Sequence, residues 1–227
     1  MSEYVLSHWP EAGVSDASRY IPLRNRVFNY GLLALLTGCS YFLTQWFPVQ
    51  LPQSLSLTWI DRQISFHSSW AWIYQTIYIV TPIVPLVLQR RDTFMQYFCG
   101  YLLMLAICVV SFMSFPIIGP GLQMEIDPTQ DLMYRFIVSY DGQINCLPSL
   151  HVALAAYSWT YLSYIIKERN LSAYSLHAFA LVWFCLLCYS TLALKQHYFV
   201  DIPAGILVAL CAFQISSFVY KRKLKYS

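Results

Sequence analysis

The chain has 227 residues, 58% hydrophobic, 17% aromatic and only 11% charged, with a formal net charge of +3 and a mean hydropathy of +0.49. Charged residues make up about 25% of an average soluble domain, so too few are present here to cover a soluble surface; disorder, collagen and coiled coil are excluded on the same grounds. The charge is too small to argue for a nucleic-acid partner, and the class that remains is an all-α polytopic membrane bundle whose function must lie in its few polar residues.

A helix needs about 20 apolar residues to cross a bilayer core. Six stretches qualify: Phe28–Phe47, Trp70–Leu88, Phe94–Phe115, Leu147–Ile166, Tyr174–Leu194 and Phe199–Tyr220. Residues 1–26 are polar and mixed in charge, which predicts a cytoplasmic N-terminal segment without a cleaved signal peptide. Residues 27–220 then form one six-span membrane domain, and 221–227 a basic cytoplasmic tail. Arg19, Arg24, Arg26, Arg90, Arg91, Lys167, Arg169, Lys221, Arg222, Lys223 and Lys225 all fall on one side of this layout; only Arg62, Arg135 and Lys195 fall on the other. Basic residues favour the cytoplasmic side, so both termini are expected there.

Three loops face the opposite, non-cytoplasmic side: about 48–69, about 116–146, and a tight connection near Lys195. The middle loop carries Glu125, Asp127, Asp131 and Asp141 against Arg135, and its Pro116, Gly119, Pro120 and Gly121 stop the third span. Its stretch Met133–Ile137 predicts a short interfacial helix. Six of the seven cysteines lie inside spans, where Cys packs as a small apolar residue. Cys146 is the exception, and it has no partner on its side for a disulfide.

No Asp, Glu, Lys or Arg lies in mid-membrane before the sixth span, which disfavours a pump or ion-coupled transporter. The polar residues collect in two clusters instead. Asn145, Pro148, Ser149 and His151 stand where the fourth span begins; Ser190, Thr191, Lys195, Gln196, His197 and Asp201 stand between the fifth and the sixth. Charge counting alone puts both clusters at one depth, on the non-cytoplasmic face. His197 and Asp201 are four apart, and on a helix they would share a face. A carboxylate on one ring nitrogen fixes the tautomer and leaves the other nitrogen free as nucleophile or base. Ser149 lies near a helix start, where unpaired N–H groups and the dipole favour an anion, and Lys195 adds a cation. Together these suit phosphoryl transfer. Two histidines and a carboxylate could also hold iron or zinc, but the lysine and the helix start suit an anion better. His8, His67 and His177 lack such neighbours and read as packing or snorkelling residues.

The stretch Asn145-Cys-Leu-Pro-Ser-Leu-His151 resembles the second signature of the type 2 phosphatidic acid phosphatase superfamily, usually Pro-Ser-Gly-His. Ser190-Thr191, five residues, His197, three residues and Asp201 resemble its third, Ser-Arg-x5-His-x3-Asp. The wording Pro-Ser-Leu-His and Lys-Gln-His-Tyr-Phe-Val-Asp is closest to the branch of the inositol phosphorylceramide synthases. The resemblance implies a ping-pong reaction: His197 attacks phosphorus, Asp201 holds its imidazole, and His151 protonates the leaving alcohol and then deprotonates the acceptor. It implies phosphate contacts from Ser149, Lys195, Asn145 and Arg135, and neither cofactor nor metal. The first signature, Lys-x6-Arg-Pro, is absent, Leu150 replaces the signature glycine and Thr191 the signature arginine. Lys195 and Arg135 are expected to substitute for the missing cations.

The expectation is thus an integral-membrane enzyme with its site facing periplasm or organelle lumen and a membrane lipid as substrate. Hydrolysis of a lipid phosphate or diphosphate leads. Transfer of a phosphate-linked head group to a lipid hydroxyl comes second, and a non-catalytic lipid-binding protein is the alternative of another class.

Overall fold

The computed structural model describes residues 19–127, 131–142 and 144–226. Of the N-terminal segment expected at 1–26, residues 1–18 with His8 lie outside the described residues, as do the tail side chains at 221 and 223–227.

Helix α1 (Leu23–Trp46) starts after Pro22, whose fixed φ suits a helix entry. A two-residue strand β1 (Gln53–Ser54) and a short helix α2 (Trp59–Gln63) follow; a capping box between Thr58 and Asp61 starts α2. The second apolar stretch is built from pieces: a 3-10 turn at Ser68–Trp70, α3 (Ala71–Gln75) and α4 (Ile77–Val87), the last containing Pro82 and Pro85. Then come α5 (Arg91–Ser114), β2 (Ile117–Ile118), α6 (Pro120–Gln123) and α7 (Leu132–Tyr140). The remaining helices are α8 (Leu150–Thr160), α9 (Leu162–Arg169), α10 (Ala173–Ala193) and α11 (Asp201–Tyr226).

Among the described residues five segments are long and apolar enough to cross a membrane: Leu23–Trp46, Ser68–Val87, Arg91–Ser114, Ala173–Ala193 and Asp201–Tyr220. The fourth stretch expected from sequence differs, because it is divided at Tyr161 into α8 and α9. There the Tyr161 N–H turns back to Ser158 O at 3.2 Å, the tighter i to i−3 bond that interrupts an α-helix. From Leu150 to Arg169 the pair would still cover about 30 Å at 1.5 Å per residue. The chain is an all-α polytopic membrane bundle.

Helix α8 is the central element. Most of its residues from Leu150 to Ser158 are buried, with α11, α10 and α4 packed around it, while α11 also packs on α5. Two glycines permit close approach. A Cβ at Gly205 of α11 would lie 2.6 Å from Ser149 O, and one at Gly100 of α5 would lie 2.7 Å from Ser216 Oγ. Without a hydrophobic drive between helices in lipid, such close packing is one of the contacts that hold them together. The core between them is filled by Phe94, Tyr97, Met104, Phe112, Tyr157 and Ala209.

At one end of the bundle three connections knit into a cap. β1 pairs in parallel with β2, Gln53 opposite Ile117 and Ser54 opposite Ile118, and Ile117 bridges to Asn145. Gly121 N–H donates to Lys195 O at 2.8 Å and His67 N–H to Ala193 O at 3.0 Å. The short helix expected at Met133–Ile137 is α7, longer at both ends. It is N-capped by Asp131, whose carboxylate accepts from the N–H groups of Met133 and Tyr134.

Candidate active site

Ser149 caps α8, its Oγ accepting from Val152 N–H at 3.3 Å, while its own N–H donates to Asp201 O at 3.2 Å. The start of α8 is thereby stitched to the start of α11. His151 is the second residue of α8, and His197 lies in the turn before α11. Both are almost wholly buried, 6% and 5% exposed, and their ring centroids are 5.9 Å apart. The two histidine clusters read from sequence therefore meet at one site.

His197 and Asp201 do not share a helix face as their spacing suggested. The turn brings them together: Asp201, fully buried at the first position of α11, accepts from Tyr198 N–H at 2.8 Å and lies 3.2 Å from His197 Nδ1. Cys146 O lies 3.0 Å from the same nitrogen. Two acceptors at Nδ1 make it the protonated nitrogen and leave Nε2 with a free lone pair.

His151 has a carboxylate too, and it is Asp141, which the sequence reading did not single out. Asp141 Oδ2 is 3.7 Å from His151 Nε2. Asp141 is buried and accepts from the hydroxyls of Tyr41 and Tyr74. Tyr74 oxygen is in turn 3.1 Å from His151 Nδ1, and Tyr78 oxygen is 3.3 Å from Nε2. With its proton directed at Asp141, the Tyr74 oxygen accepts, so Nδ1 of His151 carries hydrogen. Nε2 is the nitrogen whose proton can come and go.

The other residues expected to hold phosphate are placed as follows. Ser149 sits between the two histidine-bearing segments, and among the described residues no backbone acceptor takes the N–H of Leu150 or His151. These are the donors a helix start offers an anion. Asn145 turns its amide away, donating to Tyr41 O and Thr44 Oγ1, both at 2.9 Å, which fastens the cap to the end of α1. Arg135 lies on the exposed face of α7.

Lys195 occupies the residue after the C-cap of α10 in the left-handed conformation, φ 55°. Its ammonium donates to Asp61 O at 2.8 Å and to Ile64 O. Burial lowers its pKa and the charge of Asp61 raises it again in part. Asp61 itself accepts from Phe199 N–H at 2.7 Å and from Thr58 N–H at 2.8 Å. Lys195 and Asp61 thus form a clasp between α2 and the turn that carries His197.

Cys146 is a buried thiol donating to Gln196 O at 3.3 Å, and burial pushes its pKa well above the ordinary thiol value. All seven cysteines are free. Among the described residues no three His, Cys, Asp or Glu side chains are grouped to hold a metal ion. The signal that could have found Asp141 was weak: it was one of four acidic residues in a loop, and nothing in their order marks which folds inward.

A family model described as the PAP2 superfamily matches residues 42–215, a range that holds both histidines and the carboxylates beside them. No curated protein and no solved structure gives a significant match.

Proposed function

Since the chain belongs to the PAP2 superfamily, whose members are phosphatases or phosphotransferases, we propose that it is a lipid phosphatase working through a phosphohistidine. The observation that carries this reading is the pair of buried imidazoles 5.9 Å apart, each backed by its own carboxylate. That gap suits one phosphoryl group between a nucleophile and a proton donor.

In the first half-reaction Nε2 of His197 attacks phosphorus, and the bond from phosphorus to the leaving alcohol breaks. The imidazolium of His151 gives its Nε2 proton to the departing oxygen. Asp201, at Nδ1 of His197, balances the positive charge that the phosphorylated ring acquires. In the second half, His151 takes a proton from water, the water oxygen attacks phosphorus, and the phosphorus–nitrogen bond breaks to restore His197. Asp141 steadies the imidazolium form of His151 between the two steps. Ser149 and the first N–H groups of α8 are the donors offered to the phosphoryl oxygens.

One observation favours a second reading, transfer of a phosphate-linked head group to a lipid hydroxyl. Two carboxylates flank the histidines, yet Lys195 is committed to carbonyl oxygens and Arg135 lies on an exposed face. No Lys or Arg is among the described residues lining the cavity beside His151. A phosphomonoester dianion needs more cationic compensation than a phosphodiester monoanion, so the charge inventory suits a diester. The site is proposed to face the non-cytoplasmic side, as the charge count of the loops predicts.

The test is incubation of the purified chain with lipid phosphates, isoprenoid diphosphates and phospholipids, followed by acid-labile phosphohistidine trapping and mass spectrometry of products. Free phosphate supports hydrolysis, and a new head-grouped lipid supports transfer. Turnover that persists unchanged in both His197→Ala and His151→Ala would overturn the assignment.

A further inference from the structure

A cavity of about 290 Å³ runs from His151 and Asp141 at the site into the membrane-spanning part of the bundle, as far as Tyr30 of α1 and Tyr97 of α5. Along α1 it extends from Tyr41 to Tyr30, about 16 Å of helix at 1.5 Å per residue. That is about half of a hydrocarbon core roughly 30 Å thick, the depth of one leaflet. Between its ends the wall surface is mostly apolar, from Ile77, Leu150, Leu154 and tyrosine rings, and the hydroxyls of Thr37, Tyr101 and Thr81 are bonded to one another or to backbone.

The α1 wall is shaped by an unusual choice. A Cβ added at Gly38 would meet nothing within 4 Å, whereas those at Gly100 and Gly205 would collide with the neighbouring helix. Glycine weakens a helix relative to alanine, and at Gly38 no close packing compensates. Gly38 and Ala34 stand where the cavity meets an outer groove along Leu35, Cys39 and Leu43, and the missing side chain at Gly38 leaves width there. We propose that this cavity is the seat of one hydrocarbon chain of the lipid whose phosphate lies at His151 and His197, and that Gly38 and Ala34 set its bore. The proposal rests on the lipid-acting reading of the site and adds where the tail goes and which residues measure it.

The occupant follows from the walls and the ends. Apolar walls exclude a polar head group, which would lose its hydrogen bonds there. Because α1 packs on both α4 and α5, the space is too narrow for a helix about 10 Å across. Continuity with His151 ties the chain to a head group at the histidines.

The test uses the full chain in phosphatidylcholine nanodiscs and a phosphatidic acid with a diazirine at the tip of one acyl chain. His197→Ala is the background, so labelling does not depend on turnover. Labels are expected on Tyr97 and Tyr101 of α5 and on Leu154 of α8, which line the cavity away from the outer groove, and Gly38→Phe should reduce them about tenfold or more. Gly31→Phe is the control, since Gly31 also has open space around it but does not line the cavity. It should leave labelling unchanged. In the active protein, Gly38→Phe should raise KM for long-chain over short-chain phosphatidic acid by about tenfold or more.

Labels confined to the outer surface of α1, or equal loss with Gly31→Phe and Gly38→Phe, would overturn the chain site. Labelling inside the cavity without turnover of any lipid phosphate would uphold it while removing the phosphatase reading.

Discussion

The two histidine–carboxylate pairs differ in how they are made. His197 and Asp201 are four residues apart in one turn and meet at 3.2 Å, with the backbone N–H of Tyr198 holding the carboxylate in place. His151 and Asp141 are carried by different elements, lie 3.7 Å apart, and are held by tyrosines from two further helices, Tyr41 of α1 and Tyr74 of α3. The first pair is local and direct. The second depends on where α1, α3, α7 and α8 come to rest. The nucleophile proposed at His197 needs one fixed orientation, which a short turn supplies. An acid–base group must exist in two protonation states, and a carboxylate at a slightly longer distance, with hydroxyls filling in, accommodates both.

Mutations can break this comparison, and the largest effect is expected at the proposed nucleophile. His197→Ala should lose turnover by about 10⁴-fold or more and give no phosphohistidine. Kinetics with acid-quenched labelling measures both. Asp201→Asn keeps the shape of the turn but exchanges the charge at Nδ1, and a drop in kcat of about 10³-fold is expected. Asp141→Asn should cost less, about 10²-fold, and the loss should shrink with a nitrophenyl ester, whose leaving group needs no acid. An equal loss on both kinds of ester would mean that Asp141 does not act through the protonation of His151.

Lys195 sharpens the comparison from outside the two pairs. If its ammonium is a clasp, Lys195→Ala should lower stability by about 1.5–3 kcal/mol, the range for hydrogen bonds to a charged group, with KM little changed. Thermal unfolding in detergent beside a KM measurement separates this from the phosphate contact expected from sequence, for which KM would rise at unchanged stability. The smallest expected effect is that of EDTA, which should leave activity intact while vanadate, a phosphate mimic, blocks it. Loss of activity in EDTA with rescue by one metal would replace the phosphohistidine with a metal site.

Legibility in the sequence followed the range of the interaction. The membrane class and most of the spans were readable because lipid demands long unbroken apolar runs. Tyr161 was the exception, since a break between two helical pieces leaves hydropathy unchanged. His151, His197 and Asp201 were readable because their spacing is local and fits the superfamily's signatures. Lys195 was readable as a charged residue at the site, but the acceptors of its ammonium were not, because they lie more than 130 positions upstream. Asn145 likewise serves Tyr41 and Thr44, about 100 positions away.

The sequence by itself determined that this chain lives in lipid, that its polar residues gather at one end of the bundle, and that one histidine carries its own carboxylate four residues on. Only the tertiary structure decided which of the loop's acidic residues faces His151, which tyrosines complete that pair, and that Gly38 borders open space instead of closing a contact. The reason is physical. Hydropathy and short spacings act along the chain and are written in it, whereas a contact between distant segments depends on helix packing, and the order of residues does not record which sides of the helices meet.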